Sequence, residues 1–215
     1  MRRIRPVLAL AALLAGCGVP RQEPVKREES HTILREGGAS VGIWITEKSA
    51  YNLSLGDYSV PVDPRFRPEK AFRMLDRDRG RKVEVGFVSN RRGSGAEVLV
   101  RLDKPWAPGT MLDLLVSGSI PETRLESPLQ NYGFIVPGSW RSDYQSASGQ
   151  QVNYIAHVEL PAGTKVGSAT KGYWAAPATA PDGVDHYVWE GKLSPGKSRS
   201  FSMSYQWPER QEGGG

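Results

Sequence analysis

The chain has 215 residues, 39% hydrophobic and 24% charged, with a formal net charge of +5; that length suits one large domain or two small ones. Setting aside Arg2, Arg3 and Arg5, which stand before the single cysteine, Cys17, without an acidic neighbour, leaves 25 basic residues against 23 acidic ones. Such a balance excludes a general nucleic-acid binder, and one cysteine excludes a disulfide within the chain.

The first segment is a charged start followed by nine apolar residues, Val7 to Ala15, and then small residues. Nine is too short to cross a bilayer core, which takes about 20 apolar residues. The layout is that of a secretory signal peptide. Leu14-Ala15-Gly16-Cys17 resembles the lipobox of bacterial lipoproteins. That resemblance implies lipidation of Cys17, removal of residues 1–16, and a lipid-anchored, extracytoplasmic protein on the cell membrane or outer membrane. Gly18, rather than aspartate, follows the cysteine, which by the lipoprotein sorting pattern favours the outer membrane where one exists. A catalytic thiol is not expected, because the segment offers neither a base nor an ordered pocket.

Residues 17–38 are polar, charged and without pattern, and close on Gly37-Gly38. They are expected to be an anchor and flexible tether, with His31 solvated. An N-terminal β-rich region is placed at 39–125, a C-terminal β region at 126–208 and a disordered tail at 209–215.

Within these regions apolar residues recur at every second position, the pattern of half-buried strands. Val83, Val85 and Phe87 share one face; so do Val98, Val100 and Leu102, then Tyr154, Ala156, Val158 and Leu160, then Phe201, Met203, Tyr205 and Trp207. GIWIT (42–46), TMLDLLVSG (110–118), NYGFIV (131–136) and HYVWEG (186–191) are further strands. With 24 Gly and 16 Pro punctuating them, the chain is expected to be all-β, an antiparallel sandwich. One short helix is expected at 68–76, where Pro68 and Glu69 form a helix-like start and Phe72 and Leu75 are three apart.

From Gln151 to Tyr205, Leu160-Pro161-Ala162-Gly163 and Trp189 followed by Leu193-Ser194-Pro195-Gly196 resemble the immunoglobulin-like conserved-repeat domains of bacterial surface proteins. The resemblance implies a β-sandwich with a surface or spacer role and no catalytic residues to carry over. The Asn-x-Gly…Ala strand expected before the first turn stands instead at Asn90, Gly93 and Ala96. Either one expanded sandwich or two in tandem would accommodate that.

Candidate chemistry is sparse. No H-E-x-x-H run occurs. His186 and Glu190 fall on one strand face after Asp182 and Asp185, but a metal there needs a further ligand, so no metal, cofactor or catalytic residue is expected. Asp76-Arg77-Asp78-Arg79-Gly80 opens like a calcium loop but lacks its later ligands. Ser94 reads as a turn residue.

Two binding candidates remain. Residues 65–92 hold ten Lys/Arg against four acids, and Arg77, Arg79, Arg81, Lys82, Arg91 and Arg92 are the candidate contacts to an anionic envelope surface. The plainer reading is a solvated surface partly paired with its own acids. Trp140 with Tyr144, and Tyr173 with Trp174, fall in loop-like stretches and are candidate aromatic contacts to a glycan or a protein, provided the two stretches meet. The expected function is therefore a non-catalytic binding or structural module, its partners the membrane through Cys17 and an envelope protein or cell-wall polymer. A glycan-binding module is the alternative. A hydrolase or metal-dependent enzyme is a further one, and it would need a cleft gathering His157 or His186 with carboxylates.

Overall fold

The computed structural model describes residues 23–34, 38–50, 52–92, 95–121, 138–145, 151–161, 163–176 and 184–206. Among these the chain is all-β, with no helix. The strands are β1 (Val25–Ile33), β2 (Ala39–Lys48), β3 (Leu55–Val62), β4 (Arg67–Asp76), β5 (Arg81–Val85), β6 (Phe87–Arg92), β7 (Gly95–Trp106), β8 (Met111–Ile120), β9 (Gly138–Gln145), β10 (Val152–Pro161), β11 (Lys165–Ala169), β12 (Tyr173–Ala176), β13 (Val184–Leu193) and β14 (Ser198–Gln206). Cys17, Ser94, residues 131–136, Asp182 and Trp207 lie outside the described residues.

Eight strands form one sheet in the order β12-β13-β10-β1-β2-β8-β4-β5. Two three-stranded sheets, β11-β14-β9 and β3-β7-β6, accompany it. Every pairing is antiparallel except that of β1 with β10. Both small sheets contribute to the same buried cluster as the large one. Val60, Val98 and Val100 come from one, Phe201 and Met203 from the other, and Ile43, Leu114, Val116 and Val158 from the large sheet. Phe201 packs against Tyr154 (centroids 5.2 Å apart) and Trp189 (5.8 Å), which joins β14 to β10 and β13. The arrangement is sandwich-like: one face of the large sheet is covered, and among the described residues the other is open.

β10, β12 and β13 share a sheet with β1, β2, β4, β5 and β8, so the boundary expected at 125–126 divides strands of one sheet. Of the two expected arrangements this is the expanded one. The alternating patterns predict the faces correctly at Val98, Val100, Tyr154, Ala156, Val158, Leu160, Phe201, Met203 and Tyr205, all buried. The run from Lys82 to Asn90 is divided at Gly86: β5 edges the large sheet while β6 edges a small one.

Two expectations are corrected. Residues 25–33 are not a tether but β1, a central strand, and His31 is wholly buried rather than solvated. The buried positions of β1 are Val25, Arg27, Glu29, His31 and Ile33. Three polar side chains hide the period-two signal, yet they are tolerated in the interior because Glu29 pairs with both of the others. Arg27 Nε donates to Glu29 Oε1 at 2.8 Å, and His31 Nε2 lies 3.0 Å from Glu29 Oε2.

Residues 68–76 form no helix; they belong to β4, paired with β8 on one side and β5 on the other. The ladder with β8 shifts register between Pro68 and Lys70. A proline without an N–H is accommodated in a sheet at such an irregularity. Partners distant in sequence thus override a local helix signal.

Candidate binding face

Because side chains alternate along a strand, the residues between the buried ones of β1, β2, β10 and β13 project from the open face of the large sheet. A groove of about 620 Å³ runs there, lined by Glu28 and Ser30 of β1, Trp44 of β2, Ile155 and His157 of β10, and His186, Val188 and Glu190 of β13, with Arg77 above. A smaller hollow of about 300 Å³ shares Ile155 and Glu190 with it. The structure places Trp44 half-buried on this open face. Its ring lies over Gly42, where an added Cβ would stand 2.9 Å from the Trp44 Cη2 and Cζ3 atoms.

Among the expected basic contacts whose side chains are described, Arg77 is the one that lines the groove. It bonds Glu28, and its guanidinium carbon stands 5.8 Å from the Trp44 ring centroid. Burial pushes the Glu28 carboxyl up, but hydrogen bonds from Lys26 and Arg77 together with their charges outweigh it, and the net shift is downward. On the same face, burial pushes Asp113 up, against the pull of Arg77 and a hydrogen bond from Thr46.

The other cations take ordinary places. Arg77 to Gly80 form the turn between β4 and β5, where Gly80 has φ 64° and the Arg79 N–H donates to Asp76 Oδ1 at 3.1 Å. That turn accounts for the calcium-like run. Lys82 stands 4.3 Å over the Phe72 ring. Arg65 pairs with Asp63, and Arg73 donates to Asp103 at 2.7 Å. Arg81, Lys82 and Glu84 are exposed on β5, the edge of the large sheet, where charge discourages pairing with another chain's strand. Arg91 and Arg92 end β6, paired with Ala96 and Gly95.

The aromatic candidates lie on strands rather than in loops. Trp140 and Tyr144 belong to β9, opposite Met203 and Arg199, while Tyr173 and Trp174 belong to β12, opposite Trp189 and Val188. β9 and β12 are in different sheets.

The two histidines of the C-terminal strands are brought together. His157 Nε2 lies 2.8 Å from His186 Nδ1, with the rings 5.0 Å apart and inclined by 25°. Directly across from His186 stands Glu159, whose Oε2 accepts from Thr32 Oγ1 at 2.7 Å. Glu190 shares their face but is four residues along the strand from His186, about 13 Å away. The useful carboxylate is thus the cross-strand neighbour, which only the register of β10 against β13 reveals.

Two runs match catalytic patterns by spacing alone, and the fold places both outside their chemistry. Gly38-Ala39-Ser40-Val41-Gly42 fits G-x-S-x-G, but Ser40 sits inside β2 between Thr32 and Ser119, not on a strand-to-helix elbow. Two strands, β1 and β10, lie between it and His186, about 14 Å away. Gly191-Lys192-Leu193-Ser194-Pro195-Gly196-Lys197-Ser198 fits a phosphate-loop spacing, but it spans the tight turn from β13 to β14. There the Lys197 N–H donates to the Ser194 carbonyl at 3.1 Å, and no helix follows to present its N-terminus to phosphate.

The sequence matches no protein family and no curated protein. Solved structures of M1 zinc metallopeptidases share the fold. A two-domain enzyme mutant bound to L-tryptophan gives a TM-score of 0.51 at 15% identity, covering 85% of this chain and 43% of that one. A mutant from Deinococcus radiodurans bound to a Tyr-Ser-Ala substrate gives the same values. This chain therefore spans less than half the length of the proteins it resembles, and identity at that level shows the fold alone. No helix among the described residues is long and apolar enough to cross a membrane.

Proposed function

We propose that this chain is a lipid-anchored, extracytoplasmic binding module without catalytic activity, and that it holds a segment of another envelope protein in the groove on its open sheet face. The observation that carries the reading is the groove itself. Its lining alternates across the strands: Trp44, Glu28, Ile155 and Glu190 stand in one row and Ser30, His157 and Val188 in the next, with Arg77 above. Apolar surface interleaved with polar groups of both signs suits a protein segment better than a uniformly charged polymer. A polyanion is a poor occupant, since Arg77 is already engaged by Glu28 while Glu190 is exposed. The lipobox-like Leu14-Ala15-Gly16-Cys17 supports the anchor, and outer-membrane placement rests on Gly18.

Fractionation of producing cells tests both halves. The wild-type chain is expected in the envelope fraction, acylated, and as a complex larger than the free chain after mild detergent extraction. Cys17→Ser is expected to lose acylation and leave the membrane. Trp44→Ala combined with Glu190→Lys is expected to keep the anchor and run as free chain. An acylated wild type that runs as free chain, or a complex indifferent to the groove variant, contradicts the binding reading. Unchanged acylation in Cys17→Ser contradicts the anchor.

A further inference from the structure

His157, Glu159 and His186 have more in common than position. Each offers one ligand atom, and these atoms all lie within 4.8 Å of one another. Three ligands about 2.0–2.2 Å from a tetrahedral zinc ion stand about 3.3 Å apart, so small side-chain rotations close the set around an ion. All three are half-buried on the two adjacent strands β10 and β13, with His157 and His186 lining one end of the groove.

The geometry points to a binding site for a divalent transition metal of the zinc class, held by His157, Glu159 and His186 with an open position towards the groove. Imidazole and carboxylate together suit such an ion better than calcium or magnesium, which take oxygen ligands. The bond between His157 Nε2 and His186 Nδ1 needs a donor on one ring and a lone pair on the other, so at least one imidazole is neutral there. Burial lowers the pKa of His157; Glu159 opposes that shift and His186 adds to it. Thr32 holds one carboxylate oxygen of Glu159, the kind of outer hydrogen bond that orients a metal ligand.

The set differs from the H-E-x-x-H zinc motif, which does not occur in the sequence. The ion's open position would accept water or a side chain of whatever occupies the groove. The site stands independently of the partner proposal, because it needs only this chain and the ion.

The test is titration of the full, metal-stripped chain with Zn²⁺ alone, read by calorimetry and by the imidazole ¹⁵N resonances. The expected result is one equivalent bound, with His157 and His186 shifting and buried His31 unmoved. His157→Asn and His186→Asn are expected to weaken binding at least 100-fold, Glu159→Gln and Thr32→Val about 10- to 100-fold, and Glu190→Gln to leave it unchanged. Circular dichroism of each variant separates lost binding from lost fold. Absence of binding by the folded wild type, or binding that leaves the His157 and His186 resonances unmoved, overturns the site.

Discussion

Arg27 and Glu29 face the interior from one central strand, and the Arg27 Nε donates to Glu29 Oε1 at 2.8 Å. Both residues are about 5% exposed or less. Burial opposes the charge on Glu29, but the Arg27 charge and the hydrogen bond and charge of His31 outweigh it and hold the carboxyl at about 2. Nearby, Tyr58 donates to buried Glu47, carrying the polar cluster from β2 to β3. Removing only one partner of such a group leaves a charge stranded in a low dielectric. Arg27→Met is therefore expected to lose about 3–5 kcal/mol of stability, as removal of one member of a buried pair does. Urea unfolding at pH 7 measures it.

The same carboxyl sets an acid dependence. A carboxyl whose folded pKa lies below its unfolded value stabilises the fold above the unfolded pKa. That contribution shrinks as pH falls from the ordinary carboxylate value of 4.5 towards about 2. The wild type is expected to lose stability across that window. Glu29→Gln, less stable at pH 7, should show a flatter profile between pH 5 and 2. Thermal unfolding at a series of pH values gives both curves.

Two glycines of the large sheet predict different costs. At Gly118 an added Cβ would stand 2.2 Å from the Arg67 carbonyl oxygen, which is backbone of the paired strand β4 and has little room to move. At Gly42 it would meet the far end of the Trp44 ring, at 2.9 Å. Gly118→Ala is expected to destabilise by about 3 kcal/mol and Gly42→Ala by about 1 kcal/mol, the two ends of the range for overpacking. Gly42→Ala should in addition tilt the Trp44 ring and weaken partner binding. Unfolding midpoints together with Trp44 resonances distinguish the two.

The basic turn between β4 and β5 predicts little for stability. Arg79, Arg81 and Lys82 are exposed, and exposed ion pairs contribute about 0–1 kcal/mol. Replacing all three by serine is expected to shift stability by about 0.5 kcal/mol or less. If the turn touches an anionic surface, co-sedimentation with anionic liposomes should fall in this variant and fade with salt in the wild type. Equal pelleting of both proteins at low salt would make the cluster an edge guard only.

Trp189 tests the packing of the last third. Its Nε1 donates to the Thr170 carbonyl at 2.9 Å and its ring leans on Phe201. Trp189→Ala is expected to cost about 3–5 kcal/mol, and Trp189→Phe less, since most of the apolar volume remains.

Much of this fold is readable from alternation. The strands around Val98, Val158 and Met203 keep apolar residues on one face, because that face is what the second layer buries. β1 is illegible for the opposite reason. Its buried face carries Arg27, Glu29 and His31, so no hydrophobic period exists, and the partners that satisfy them sit on the same strand two residues apart. β4 misleads because Phe72 and Leu75 suit a helix, while its pairing with β8, some 45 residues on, decides the outcome. The groove is illegible for a third reason. His157, Glu159 and His186 become neighbours only through the register of β10 and β13. The placement of Arg77 over Trp44 likewise depends on β4 and β2 flanking β8 in the same sheet.

Whether the open face of the large sheet holds another envelope protein is decided most directly by photo-crosslinking in the producing cell, with the reactive residue placed at Ser30 in the groove or at exposed Asp57 on β3. The account predicts a protease-sensitive adduct of one size from Ser30, abolished by Trp44→Ala, and none from Asp57. Adducts from Asp57 but not from Ser30, or a Ser30 adduct untouched by Trp44→Ala, would contradict it.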